Sequence, residues 1–181
     1  MTESHSLAET EDRVIARLGH LDIDWQATAV SANLFRAANA VRNHFERSVL
    51  QAHELSWTAF VVLWVTWIWE PIETRMIAIE GAFSKATLTG VLKTLESKKL
   101  AKRTTSEKDR RLVLVELTAK GRKLMEQLFP LINAQEAAVA SELTTEQKIH
   151  AAEALRLMTN FVEQHEPASI TTIARRAGQQ Q

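Results

Sequence analysis

The 181-residue chain has no cysteine. Disulfides, thiolate metal sites and thiol redox sensing are therefore excluded. It also has no tyrosine and only five glycines, a composition poor in what an all-β chain needs for its strands and turns. No apolar run reaches the roughly 18 residues of a membrane span. The most apolar stretch runs thirteen residues, from Trp57 to Trp69, and includes Thr58 and Thr66; that length suits a buried helix. The opening MTESHSLAETED is polar and acidic, without the basic-then-apolar order of a signal peptide. A cytoplasmic protein with no membrane partner is the expectation. No Gly-rich phosphate loop, nucleophile elbow or HExxH pattern appears, so neither an enzyme nor a cofactor is expected. The six histidines stand at 5, 20, 44, 53, 150 and 165, with no pair four apart. They are read as structural or surface residues and not as a metal site.

The formal net charge is zero, but it is unevenly spread. Residues 1–30 carry net −4, residues 31–83 net −1, and residues 124–181 net −3. Between them, residues 84–123 hold twelve basic and four acidic groups, net +8. Forty consecutive residues thus form a basic segment suited to a polyanion; a solvated surface face is the plainer alternative.

Periodicity divides the chain. Ser6-Leu-Ala-Glu9 is a capping box that opens a short helix to about Leu18, with Gly19 at its end. A long helix is expected from about Ala27 to Ala52, since Val30, Leu34, Ala37, Ala38, Val41, Phe45 and Val49 recur at helical spacing. Ser56 caps the next, to about Trp69, with a stripe of Trp57, Val61, Trp64 and Ile68. Pro71 fits the first position of a short helix, Ile72 to Ile79, ended by Glu80-Gly81. Ser84 caps another, Lys85 to about Lys98, with Leu88, Leu92 and Leu95 on one face. The period then falls to two: Ala101 to Thr104 and Arg111 to Leu117 read as a hairpin around a polar turn. Thr118 begins a long helix to about Glu142, bent at Pro130, and Thr144-Thr-Glu-Gln147 caps a last one to about Gln164.

Two short helices followed by a basic hairpin make a winged helix-turn-helix. The fold class expected is mainly α with a small β-hairpin wing (α+β), flanked by long N- and C-terminal dimerisation helices. A helix that enters a major groove needs short or flexible hydrogen-bonding side chains. Ser84, Lys85, Thr87, Thr89 and Lys93 supply them, and Gly90 permits close approach. The hairpin carries Arg103, Lys108, Arg110 and Arg111, with Asp109 placed to hold a guanidinium. An arginine at such a tip can enter a narrow minor groove.

The run Leu95-Glu-Ser-Lys-Lys-Leu100-Ala-Lys-Arg103, then Asp109-Arg110-Arg111, then Leu117-Thr118-Ala-Lys-Gly121 resembles the MarR (multiple antibiotic resistance regulator) family over about residues 30–165. The resemblance implies a transcriptional regulator that binds a palindrome in double-stranded DNA as a homodimer, often released by a small ligand. It sets Lys99 where such proteins usually carry a helix-ending glycine. The divisions expected are a 1–26 arm, 27–54 and 119–165 for dimerisation, 55–118 for DNA, and a 166–181 flexible tail. A small aromatic or anionic effector could meet Trp57, Trp64, Arg42, His44 and His53; core and interface packing is the other reading of the tryptophans. A sequence-indifferent architectural DNA binder, and a helical interaction protein without DNA binding, remain alternatives at this point.

Overall fold

The computed structural model describes residues 5–166; the tail expected at 166–181 lies, from residue 167 on, outside the described residues. Seven α-helices occur among them: α1 (Leu7–Leu18), α2 (Trp25–Ser48), α3 (Trp57–Trp69), α4 (Thr74–Glu80), α5 (Lys85–Ser97), α6 (Ala119–Val139) and α7 (Thr145–Gln164). The strands are β1 (Ile72–Glu73), β2 (Ala101–Thr105) and β3 (Val113–Leu117). The chain divides into two compact units, Met1–Asn133 and Ala134–Gln181. No helix among the described residues is long and apolar enough to cross a membrane.

Local chemistry places most boundaries. Ser6 and Thr144 form the two capping boxes, and Ser56 and Ser84 accept from Ala59 and Thr87 amides as N-caps. The long helix differs from expectation. It starts at Trp25, because the Asp24 carboxylate accepts from the Ala27 amide. It ends at Ser48, and a 3₁₀ turn, Leu50–His53, follows, closed by Glu54 at φ 52°. The segment after Pro71 also differs. Ile72 and Glu73 are not helical but pair with Val115 and Leu114. The sheet therefore has three antiparallel strands in the order β1-β3-β2, not two. A two-residue strand has too few side chains to show a period, so its alternation could not be seen in sequence.

The core lies in the first unit. Phe45, Leu50, Phe60, Leu63 and Ile77 pack with Leu88, Leu92 and Leu95 of α5, Val115 and Leu117 of β3, and Met125, Leu128 and Ile132 of α6. In α3 the buried residues are Ala59, Phe60, Val62, Leu63, Val65 and Thr66. The stripe read from the sequence is the less buried side of a helix expected to be buried on several sides: Trp57 and Val61 are half-buried, and Trp64 and Ile68 are exposed. Nearly every residue of α3 is apolar, so period alone could not say which face would turn inward.

Among the described residues, three turns close on left-handed residues that are not glycine: Glu54, Ala82 and Lys99. After α5, the Lys99 amide donates to Glu96 O and the Leu100 amide to Leu95 O, each at 2.9 Å. That is a Schellman closure with Lys99, φ 58°, in the glycine position. After α4 the same pattern uses Ala82, while the expected breaker Gly81 keeps φ −89°. A Cβ at Gly81 would instead strike the Phe83 ring, which would have to turn aside. Gly121 is more constrained: its Cβ would collide with the Leu100 carbonyl.

Glu70 ties the ends of three elements. One carboxylate oxygen accepts from the Leu117 amide at 2.6 Å, the other from Arg122 Nε at 2.7 Å. These bonds join the end of α3 to the end of β3 and the first turn of α6.

Two substitutions of opposite sign test these turns. Lys99→Gly should raise stability by about 0.5–1 kcal/mol, because the left-handed strain is removed. Gly121→Ala should lower it by about 1–3 kcal/mol, since a backbone carbonyl must move aside. Denaturant unfolding measures both; a stabilising Gly121→Ala would mean that α6 and Leu100 are not in close contact.

Candidate nucleic-acid interface

In α5 the three leucines face the core, which turns Ser84, Lys85, Thr87, Thr89, Gly90, Lys93 and Thr94 outward, all exposed. Their hydroxyls are already engaged. Ser84 Oγ and Thr87 Oγ1 share a hydrogen bond at 2.8 Å, Thr89 Oγ1 donates to Lys85 O at 2.8 Å, and Thr94 Oγ1 donates to Gly90 O at 3.2 Å. Thr89 and Thr94 therefore present methyl groups and oxygen lone pairs outward. Nothing lies within 4 Å of where a Gly90 Cβ would stand, so no contact within the protein requires that glycine.

The hairpin β2–β3 runs in register from Ala101↔Leu117 to Thr105↔Val113. Ser106 organises its tip. Its amide donates to Leu112 O at 3.0 Å, and its hydroxyl accepts from the Lys108 and Asp109 amides at 3.3 and 3.4 Å. Lys108 and Arg110 stand exposed there.

Asp109 and Arg111 form the pair expected from sequence. Arg111 Nε and Nη2 donate to the two carboxylate oxygens at 3.1 and 3.0 Å, and the Arg111 amide adds a third bond at 3.0 Å. The Arg111 hydrogen bonds hold the Asp109 carboxyl below its ordinary value, and the carboxylate raises Arg111 in return. Two parallel bonds fix the plane of the guanidinium, while its side chain stays 89% exposed.

Arg103 is placed differently. Its guanidinium forks onto Glu96 of α5, with Nε donating to Oε1 at 2.9 Å and Nη2 to Oε2. A groove of about 650 Å³ lies between α4, α5 and the hairpin. Leu88, Leu92 and Val113 contribute apolar surface to it; Arg75, Lys85, Arg103 and Arg111 contribute cations. Four cationic side chains, from two helices, strand β2 and the hairpin tip, thus converge on one face, beside the outward side of α5.

This arrangement has relatives. The HTH-type transcriptional regulator YwaE of Bacillus subtilis is 35% identical over 156 residues, 82% of this chain and 91% of that protein. The family model "Transcriptional regulator SarA/Rot" matches residues 44–128. AbsC of Streptomyces coelicolor, a MarR family transcriptional regulator, superposes with TM-score 0.71 at 20% identity, over 81% of this chain and 99% of its own. The chain belongs to the MarR family of helix-turn-helix transcriptional regulators. BpsR of Bordetella bronchiseptica, whose DNA binding is regulated by 6-hydroxynicotinic acid, superposes with TM-score 0.67 at 27% identity, covering 72% and 98%.

In this MarR-family regulator, a DNA-binding protein, the wing and helix-turn-helix stand in the expected order. The five effector candidates are less concentrated. Trp57 packs at the core edge, its ring 5.8 Å from Phe45 and 5.5 Å from Phe60, and its amide donates to Glu46 Oε1. Trp64 is exposed on the next two turns of α3, Arg42 bonds Asn39, and the His44 ring lies 6.1 Å from Phe45. His53 ends the 3₁₀ turn, half-buried. Sequence reading missed Glu96, Ser106, Glu70 and Arg75. Glu96 and Arg103 are seven apart across a helix end and a turn, a spacing with no periodic signature.

The Asp109–Arg111 geometry can be checked without DNA. A carboxyl titration followed by NMR should place Asp109 below the ordinary aspartate range, and Arg111→Ala should bring it back up. A midpoint indifferent to Arg111→Ala would mean that the pair does not persist in solution.

Proposed function

We propose that this regulator is a ligand-responsive repressor that reads a palindromic operator as a homodimer. The observation that carries the reading is the exposed polar face of α5 beside a wing whose Arg111 is oriented by Asp109. In this reading α5 enters the major groove, where Lys85 and Lys93 reach acceptors and the Thr87 and Thr89 hydroxyls and methyls meet base edges. Arg111 enters the flanking minor groove, where the potential is most negative, and Lys108 and Arg110 neutralise phosphate.

Dimerisation is supported by apolar surface in each unit. In the first, Val30 and Phe35 of α2 are 53% and 70% exposed. In the second, α7 buries none of its twenty residues, and Ile149, Leu155, Leu157, Phe161 and Val162 are exposed. Helices with such faces are stabilised by a partner, and a two-fold dimer matches a palindrome. Segments 27–54 and 119–165 serve dimerisation, 55–118 DNA reading, and 1–26 forms an added arm.

The sharpest experiment sets positioning against charge. Asp109→Ala removes a negative charge from a DNA-facing tip, so simple electrostatics favours tighter binding. A positioning role demands roughly tenfold weaker binding to a duplex selected by the parent protein. Arg111→Ala should weaken binding to all sequences and lower the salt slope by about one unit. If Asp109→Ala binds the selected duplex more tightly, at equal fold, the orienting role fails. A parent that binds selected and random duplexes alike at fixed salt would favour the sequence-indifferent architectural reading instead.

The effector is drawn from the aromatic acids, by analogy with the 6-hydroxynicotinic acid that regulates BpsR. Trp57, Trp64, Arg42, His44 and His53 are the residues proposed to meet it, since the exposed Trp64 ring and the exposed Arg42 offer a planar surface and a cation. Titration of aromatic acids should quench tryptophan emission and release the selected duplex over one concentration range. Release without any change in emission would place the effector elsewhere.

A further inference from the structure

We propose that Glu96 is a positioning residue for DNA reading: it grips Arg103 so that the wing leaves the reading helix at one fixed angle. This rests on the DNA-reading proposal above and assigns Arg103 a bracing role in place of a phosphate contact.

The two elements are already hinged. The left-handed Lys99 ends α5, and Leu100 leads directly into β2. The bonds of Leu100 hold that turn itself, so the direction in which β2 leaves it is set by what joins the strand back to α5 farther out. Glu96 lies in the last turn of α5 and Arg103 at the third residue of β2, paired with Val115. The forked ion pair bridges them beyond the hinge, which turns a pivot into a triangle. A bidentate carboxylate–guanidinium pair suits that task because it fixes direction as well as distance. Each partner is about one-third exposed, so the pair is worth little as stability alone. The Arg103 hydrogen bonds hold the Glu96 carboxyl low, and Glu96 raises Arg103; both are charged at neutral pH.

The placement runs against simple charge matching. Glu96 is one of four acidic residues in the basic stretch 84–123, and it occupies a guanidinium that could otherwise neutralise a phosphate. Arg103 lines the same groove as Lys85, Thr89 and Arg111, so releasing it would add a mobile cation to the reading face. Bracing therefore exchanges general attraction to DNA for a defined geometry between helix and wing.

The experiment compares a duplex selected by the parent with a random-sequence duplex, for Glu96→Gln and for the reversed pair Glu96→Arg with Arg103→Glu. Affinity is taken at several salt concentrations and melting temperature alongside. Glu96→Gln should lose roughly tenfold on the selected duplex while random DNA holds or tightens, with the salt slope rising by about one unit as Arg103 turns to phosphate. The reversed pair should recover most of the loss, because it restores the brace. Three results overturn the proposal: Glu96→Gln with an unchanged preference, equal losses on both duplexes that track a fall in melting temperature, or no recovery in a reversed pair of normal melting temperature. If Glu96→Gln fails to fold, the reversed pair decides alone, by keeping or losing the preference. A parent with no preference to lose overturns the DNA-reading proposal itself, and this one with it.

Discussion

The backbone carbonyl of Leu100 is the point at which α5, the sheet and the long helix α6 meet. It accepts the Thr118 amide at 3.0 Å, and Gly121 passes so close that no side chain fits between them. The amide of the same residue closes α5 on Leu95 O. Thr118 Oγ1 bonds Lys99 O at 2.6 Å while accepting from the Gly121 amide at 3.0 Å, and Lys120 Nζ reaches Lys98 O at 3.0 Å. Loosening this junction would let the last turn of α5, the start of β2 and the first turn of α6 shift separately.

Around that junction the first unit is built as a frame. Glu70 secures the same end of β3 and the first turn of α6 to the end of α3. Three core leucines fix the rotation of α5, so its polar face points outward without a choice of register. The wing is paired on both edges of β3, by β1 and β2. Ser106 and Asp109 then organise the tip through bonds to main-chain amides and to Arg111. Each step narrows where the cations can be, from a basic segment to a helix face, a hairpin and one oriented guanidinium. For a chain of zero net charge, affinity for DNA has to come from this local arrangement rather than from the overall field.

Much of this was legible in the sequence, and for identifiable reasons. Capping residues act within a few positions, so Ser6, Ser56, Ser84 and Thr144 announce their helices directly. The Asp109–Arg111 pair spans two residues and could be inferred from its chemistry. Lys99 stands where the family resemblance expects a glycine, and it takes the left-handed conformation. What escaped depends on contacts distant in sequence. The strand at Ile72 exists because β3 lies beside it, and Glu70 matters because Leu117 and Arg122, 47 and 52 residues later, come to it. The facing of α3 is open in the sequence, because an almost wholly apolar helix has no polar side to betray its orientation. Arg103 reads as another wing cation until its partner on α5 is seen.

The central claim is that two copies of one rigid helix-and-wing unit read DNA together. Hydroxyl-radical footprinting on a duplex selected by the parent protein addresses it most directly. Two copies of such a unit should leave two protected half-sites related by two-fold symmetry. Their centres should lie about one helical turn apart, or a multiple of it, each with major-groove protection flanked on the outer side by minor-groove protection. One unsymmetric patch, or even protection that ignores sequence, would contradict it.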